Sequence, residues 1–177
     1  APSRRLGGCG VLRGGAGVPD YFDRLRDVKA LDVQSMFRRS GVTLGAEGGA
    51  ERLTAVIATP SFYRMVQVAP VAGALFTEQD ADEGATRRVL LGHAMWQQKY
   101  AGDPAIVGRE IRLNGNVHMV AGVLPTDFMF LWNDIDVWLP TTFTAREKSD
   151  QGRHNNNWQY VGRMAQGASL EQVSQQL

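Results

Sequence analysis

The residues of this chain best suited to bind a metal ion are three histidines and one cysteine. His93, His118 and His154 are widely separated, and Cys9 stands alone. The histidine and cysteine ligands of a structural zinc ion usually recur within a few positions of one another. This spacing argues against zinc, and we expect His118 to be a half-exposed residue of a strand.

An acidic run is the second candidate for metal chemistry. It contains Glu78, Asp80, Asp82 and Glu83. A calcium-binding loop also needs a glycine at its sixth position and a closing bidentate glutamate, and both are missing here. Because Thr77 precedes the run, the pattern favours a solvated, capped helical turn.

Catalytic motifs cannot be recognised either. The sequence has no G-x-S-x-G motif, and Ser61 lies between Pro60 and Phe62 at the expected start of a helix. The glycines of residues 1–17 match neither of the common phosphate-binding loop patterns. We therefore predict a protein that is not an enzyme and carries no cofactor.

Aromatic residues form the most distinctive cluster of side chains. Phe128, Phe130, Trp132 and Trp138 lie close together in the chain, followed by Phe143. Clustered tryptophan and phenylalanine are typical of protein interfaces and of ligand pockets. Packing in a hydrophobic core explains the same pattern, so the sequence leaves a partner surface, a ligand pocket and a core all open.

The composition indicates a folded globular domain without a strong electric field. The 177 residues are 44% hydrophobic and 21% charged, with a formal net charge of +1. These values differ from those of disordered chains, and they provide no excess positive charge for binding nucleic acid. The longest stretch without a charged residue, 113–126, is shorter than a membrane-spanning helix.

Local patterns predict the elements that position these side chains. We expect helices over residues 19–29 and 94–100, a short helix after Thr59-Pro60, and a C-terminal helix opened by Ser169 and Glu171. We expect strands over 31–44, 51–58, 88–91 and 158–164. The Asn114-Gly115 pair predicts a tight hairpin between strands 111–113 and 117–123.

Together these elements predict an α+β fold with a mixed, largely antiparallel sheet and short helices. Six glycines among residues 1–17 predict a flexible leader over residues 1–18. The folded domain is then expected over residues 19–177.

Several blocks in sequence order resemble the MacB-like periplasmic core domain of ABC transporter permeases (the FtsX/MacB family), and more specifically the large acidobacterial permeases of the duplicated type. The blocks are Pro19-Asp20-Tyr21 with Leu25, Thr59-Pro60-Ser61-Phe62-Tyr63, residues 73–80 (GALFTEQD), residues 89–97 (VLLGHAMWQ), Gly102-Asp103-Pro104 through Val107-Gly108-Arg109, Leu113-Asn114-Gly115, residues 120–125 (VAGVLP) and Asp136-Val137-Trp138-Leu139-Pro140. Their order and spacing cover residues 19–177, which is more specific than any single motif.

The resemblance implies porter-like α/β modules, with a second strand-rich subdomain in some members. It implies a non-catalytic domain on the extracytoplasmic, periplasmic side of the bacterial inner membrane, within an efflux or export permease. Its partners would be the transmembrane helices of the permease, a cytoplasmic ATPase subunit or domain, and in some systems a periplasmic adaptor protein. Family members continue beyond the C-terminal helix seen here, so we expect the chain to be a truncated part of a larger protein.

One alternative function follows from the residues alone. The chain would be a small module that binds a hydrophobic ligand with the aromatic segment 128–143.

Overall fold

The computed structural model describes residues 11–141, 143–154 and 156–177. They form two compact units, one containing the described residues up to Arg38 together with Phe143–Leu177, the other residues 39–142. The helices and strands, in chain order, are β1 (Val11–Ala16), α1 (Val18–Asp27), β2 (Leu31–Ala46), β3 (Gly49–Ala58), α2 (Pro60–Val66), β4 (Ala72–Gly73), β5 (Arg88–Leu91), α3 (His93–Tyr100), β6 (Glu110–Leu113), β7 (Asn116–Val123), β8 (Val137–Pro140), α4 (Ala145–Lys148), β9 (Trp158–Met164) and α5 (Leu170–Gln176). Three short 3-10 helices lie at Glu78–Ala81, Pro104–Ile106 and Asp150–Gly152.

The first unit is built around β9, which pairs antiparallel with β1 on one side and with residues 31–37 of β2 on the other. Helix α1 has Pro19 in its first turn. Backbone amides of the first turn have no partner within the helix, so the missing N–H of proline costs no hydrogen bond there. Tyr21 of this helix is buried, and its hydroxyl donates to the Gln34 carbonyl oxygen at 3.2 Å. The helix is thereby attached to β2.

The predicted flexible leader is wrong for part of its length. Its residues Val11–Ala16 form β1, which pairs along its length with Trp158–Arg163 of β9. Strand hydrogen bonds to β9 offset the backbone entropy that Gly14 and Gly15 lose on folding, which the glycine content alone does not reveal. Residues 1–10 of the leader lie outside the described residues.

In the second unit, β8 pairs in parallel with β3 and antiparallel with β5, and β5 pairs in parallel with β7. Strand β7 also pairs antiparallel with β4 and β6. Val89, Leu90 and Leu91 of β5 are all fully buried, and since successive side chains of a strand point to opposite faces, both faces of β5 are covered. The buried core of this unit consists of Val42, Leu44, Leu53, Ala55, Val89, Leu91, Met95, Ile106, Ile111, Leu113, Val120, Val123 and Val137.

The predicted fold class is confirmed: the described chain combines short helices with strands that pair mostly antiparallel. The hairpin is also confirmed, because Asn114 and Gly115 have φ angles of 51° and 80° and Leu113 faces Asn116. The Asn114 side chain has a second role, since its Oδ1 accepts from the Thr43 amide at 2.9 Å. The turn therefore contacts β2 as well as closing the hairpin.

None of the helices in the described part of the chain is long and apolar enough to cross a bilayer.

His118 lies half-buried in β7, and its Nδ1 is 3.0 Å from the Asn116 carbonyl oxygen. Burial, the largest effect, lowers the pKa of His118 from its ordinary 6.5, and Arg87 lowers it further. The folded state thus binds fewer protons than the unfolded state once the pH falls below about 6.5. We expect the free energy of unfolding to decrease as the pH falls below about 6.5.

The measurement is the melting temperature between pH 8 and pH 5 for the wild type and for His118→Gln, which has no imidazole to titrate. We expect a smaller decrease in the variant. Equal decreases in both proteins would show that His118 does not contribute.

Candidate functional site

The aromatic loop, defined as residues 124–136, connects β7 to β8 and carries most of the predicted aromatic cluster. Its side chains alternate in exposure. Phe128, Phe130 and Trp132 are half-buried, whereas Met129 and Leu131 are 63% and 46% exposed. The loop therefore has an aromatic inner face and an apolar outer face.

The inner face packs on Phe62 of α2, which is fully buried. The Trp138 ring stacks on Phe62 with centroids 5.9 Å apart and an interplanar angle of 17°. The Phe130 ring meets the Phe62 ring edge-on, with centroids 4.8 Å apart. The centroids of the Phe128 and Trp138 rings are 5.2 Å apart. Trp138 is only 3% exposed, so it packs in the hydrophobic core, one of the three possibilities that the sequence left open.

Leu131 occupies a tight turn at the tip of the loop. Its φ angle is +64°, and the Trp132 amide donates to the Phe130 carbonyl oxygen at 2.7 Å. A three-residue turn with a positive φ at its centre is rare and strained, particularly for a residue other than glycine. This turn directs Phe130 and Trp132 to separate surroundings although they are two positions apart.

Arg39 holds the outer part of the loop. Its guanidinium forms an ion pair with Asp134 and lies over the Trp132 ring, 5.6 Å from the centroid. Charge pairing and a cation–π contact together restrict the orientation of the Trp132 indole.

Two hydrogen bonds of Asp136 hold the end of the loop against β3 and against the residue that follows β5. The Asp136 Oδ2 accepts from the Thr54 amide at 2.8 Å, and the Gly92 amide donates to the Asp136 carbonyl oxygen at 2.8 Å. A Cβ atom on Gly92 would lie only 2.5 Å from the Ile135 carbonyl oxygen. Glycine at position 92 therefore permits the loop to approach the start of α3.

A cavity of about 130 Å³ lies between this loop and α3. It is found where β5 and β7 end and β8 begins. Because β5 and β7 are parallel, their carboxyl ends meet at one edge of the sheet, which is where α/β sheets commonly bind ligands. The cavity is lined by Gly92, His93, Ala94, Leu124, Pro125, Thr126, Phe128, Trp132, Asn133, Ile135 and Trp138.

The lining combines apolar and aromatic side chains with polar groups, and polar and apolar atoms contribute about equally to its surface. The polar side chains are His93, Thr126 and Asn133, and His93 rests edge-on against Trp96 at 5.4 Å. No acidic side chain, lysine or arginine belongs to the described residues that line it. The cavity can therefore accommodate an uncharged group with one polar edge.

The structure brings three of the four predicted site residues together. Phe128, Trp132 and Trp138 line the cavity, whereas Phe130 packs on Phe62 and is not part of the lining. Phe143, the last aromatic residue of the segment 128–143, belongs to the first unit.

Sequence reasoning missed the Gly92-His93-Ala94 side of the cavity. The available signal was a buried strand followed at once by glycine and a helix start, an arrangement typical of ligand-binding edges.

The acidic run serves the local structure. The Asp80 Oδ2 accepts from the Thr77 amide at 2.7 Å, so the predicted capping box is confirmed. The other oxygen of Asp80 pairs with Arg88 at 3.0 Å. Within the ranges that the structure describes, no three His, Cys, Asp or Glu side chains lie close enough to share a metal ion.

Comparison with models of known families identifies one family. The family model described as the MacB-like periplasmic core domain matches residues 5–177. A search of curated proteins finds no match.

Solved structures share the fold at low sequence identity. The periplasmic region of MacB from Actinobacillus actinomycetemcomitans has a TM-score of 0.68 and 12% identity, covering 93% of this chain and 71% of that one. The extracellular domain of the noncanonic ABC-type transporter YknZ from Gram-positive bacteria has a TM-score of 0.63 and 14% identity, covering 89% and 76%. A domain of a protein assigned as a permease from Porphyromonas gingivalis has a TM-score of 0.66 and 17% identity, covering 94% and 79%.

The family match extends over nearly the whole chain and includes every block on which the resemblance was based. It also begins before residue 19 and so includes β1, which lies within the predicted leader. This chain belongs to the family of MacB-like periplasmic core domains of ABC-type permeases.

Proposed function

We propose that this chain is the non-catalytic extracytoplasmic domain of an ABC-type efflux or export permease. In this proposal it couples ATP hydrolysis in the cytoplasm to expulsion of a substrate or to contact with a partner protein. The observation that carries the proposal is the family match over residues 5–177. The domain would lie on the periplasmic face of the inner membrane.

The partners proposed here follow from that architecture. They are the transmembrane helices of the same permease, a cytoplasmic ATPase subunit or domain, and a periplasmic adaptor protein. Support comes from the side chains: in the described residues, Asp80 of the acidic run serves a capping box and an ion pair with Arg88, and the aromatic cluster around Phe62 serves packing. Neither arrangement performs bond chemistry.

The first test locates the native polypeptide. An antibody against this domain is applied to carbonate-washed membranes and to the soluble fraction, and intact spheroplasts are treated with an added protease. We expect a membrane-bound band much larger than 19.4 kDa that the external protease degrades, while a cytoplasmic marker is protected. A soluble band near 19.4 kDa, or a band protected from the protease, would contradict the proposal.

The second test addresses coupling. A Fab that binds this domain is added to the outside of spheroplast-derived, right-side-out vesicles, which contain the permease and its ATPase and are loaded with ATP. If movement of the domain is coupled to hydrolysis, the Fab is expected to change the rate of ATP hydrolysis, whereas a Fab of unrelated specificity is not. An unchanged rate with saturating Fab would contradict coupling but not the location.

A further inference from the structure

We propose that the cavity between the aromatic loop and α3 binds a single uncharged aromatic ring that carries one hydrogen-bonding group, with a simple phenol as its minimal ligand. This inference is independent of the transport function, because it concerns a site contained within residues 92–138 of the second unit.

The volume of the cavity sets the size of the ligand. It measures about 130 Å³. Apolar cavities of about 150 Å³ hold one benzene molecule. The cavity is slightly smaller than that and is open on one side, so it holds one six-membered ring whose substituents extend toward the opening.

The walls favour an aromatic ligand over an aliphatic one. Phe128, Trp132 and Trp138 contribute three rings to the lining, and aromatic pairs in offset or edge-on contact gain energy beyond their buried area. Trp138 is held by stacking on Phe62, and Trp132 by Arg39. Because these rings are held by contacts within the protein, little ordering is needed when the ligand enters.

The polar lining sets the charge of the ligand. His93 and Asn133 offer donor and acceptor atoms, which match a single hydroxyl. An ionised ligand would lose its hydration without a charged side chain among the described lining residues to compensate it. A neutral ring with one polar edge is therefore preferred to a carboxylate or an amine.

The binding test is an NMR titration of the ¹⁵N-labelled 177-residue chain with p-cresol. We expect saturable shifts with a Kd of about 0.1–1 mM, as ligand efficiency allows for so small a molecule. The shifts should affect the amides of His93 and Ala94 and the indole NH groups of Trp132 and Trp138. Trp158 lies in the first unit, so its indole is the internal reference and should not move.

A blocking variant tests the location of the site. Ala94 is exposed and lines the cavity, so Ala94→Phe fills the space without altering the core. We expect it to weaken p-cresol binding at least about tenfold. Gln98→Phe places the same side chain at another exposed position of α3 and is expected to leave binding unchanged.

A second variant and a second ligand test the aromatic preference. Trp132→Leu removes one half-buried ring from the wall and is expected to weaken p-cresol binding several-fold. 4-Methylcyclohexanol has nearly the same size and the same hydroxyl but no aromatic ring, and we expect it to bind more weakly than p-cresol.

A blocked amino acid distinguishes the two sources of such a ring. If N-acetyl-tyrosinamide binds as tightly as p-cresol, the site accepts a tyrosine side chain of a partner protein. If p-cresol binds and the amide does not, the ligand is a free small molecule.

The proposal is overturned if p-cresol produces no saturable shifts up to about 20 mM, well above the expected Kd. It is equally overturned if Ala94→Phe binds p-cresol as tightly as the wild type, because the ligand would then occupy another place.

Discussion

Replacing Trp138 by alanine is expected to lower the free energy of unfolding by about 3–5 kcal/mol, the largest single effect that we anticipate. Trp138 is 3% exposed and stacks on Phe62, with Phe128 and Tyr63 against its other sides. Removing the indole leaves a large space in a dense core, and the surrounding strands can collapse into it only in part. The bulk of the cost is lost packing.

Urea denaturation followed by far-UV circular dichroism measures this loss. The matched control is Leu131→Ala, which truncates a side chain in the adjoining loop that is 46% exposed, and it should change the free energy of unfolding by less than about 0.5 kcal/mol. A loss below about 1 kcal/mol for Trp138→Ala would mean that the aromatic cluster does not stabilise the second unit. Trp138 would then contribute to the wall of the cavity but not to the stability of the unit.

Replacing Gln34 by leucine is expected to destabilise the first unit by about 2–4 kcal/mol. Gln34 is buried in β2, and its side chain connects three polar groups. Its Oε1 accepts from the Tyr160 hydroxyl at 2.8 Å, and its Nε2 donates to the carbonyl oxygens of Arg24 and Val28, both at 3.2 Å. Leucine is similar in size but removes all three hydrogen bonds, which leaves the Tyr160 hydroxyl and the Val28 carbonyl oxygen without this partner at the cost of their desolvation, while the Arg24 carbonyl oxygen still accepts from the Val28 amide.

Tyr160→Phe provides the graded comparison for this network. It removes one hydroxyl and one hydrogen bond, so we expect a smaller loss of about 1 kcal/mol. Burial raises the pKa of Tyr160 to about 12, in agreement with a desolvated hydroxyl. Urea denaturation of both variants gives the comparison, and a Gln34→Leu protein as stable as the wild type would contradict the role of the network.

The Trp138 prediction and the binding proposal probe different parts of the aromatic cluster. Trp138 serves both the core and the cavity wall, whereas Ala94 serves the cavity alone. Loss of p-cresol binding in Ala94→Phe, with stability retained, would separate ligand binding from folding. The same result would leave the family assignment and the proposed location in the permease unaffected.

Elements with strong local signals were predictable from the sequence. The strand over 158–164 and the strand over 88–91 have the predicted bounds, and the Asn114-Gly115 hairpin has the expected positive φ angles. Each depends on interactions among neighbours in the chain, namely a run of buried apolar residues or a turn that tolerates positive φ.

Elements that depend on distant partners were missed. Strand β1 contains two glycines and becomes a strand only because β9, far along the chain, supplies its hydrogen bonds. Strand β8 is short, and it is defined by its parallel pairing with β3 and its antiparallel pairing with β5. No local pattern encodes such long-range pairing.

The sequence by itself determined the family, the α+β class and the choice of the aromatic segment, because ordered blocks and residue types are local properties of the chain. Only the tertiary structure decided which aromatic side chains share a cavity. The positive φ of Leu131 separates Phe130 from Trp132, and the close approach of Gly92 brings His93 and Ala94 opposite Trp132 and Trp138. A cavity is space left between elements distant in sequence, so its size and lining follow from how those elements pack.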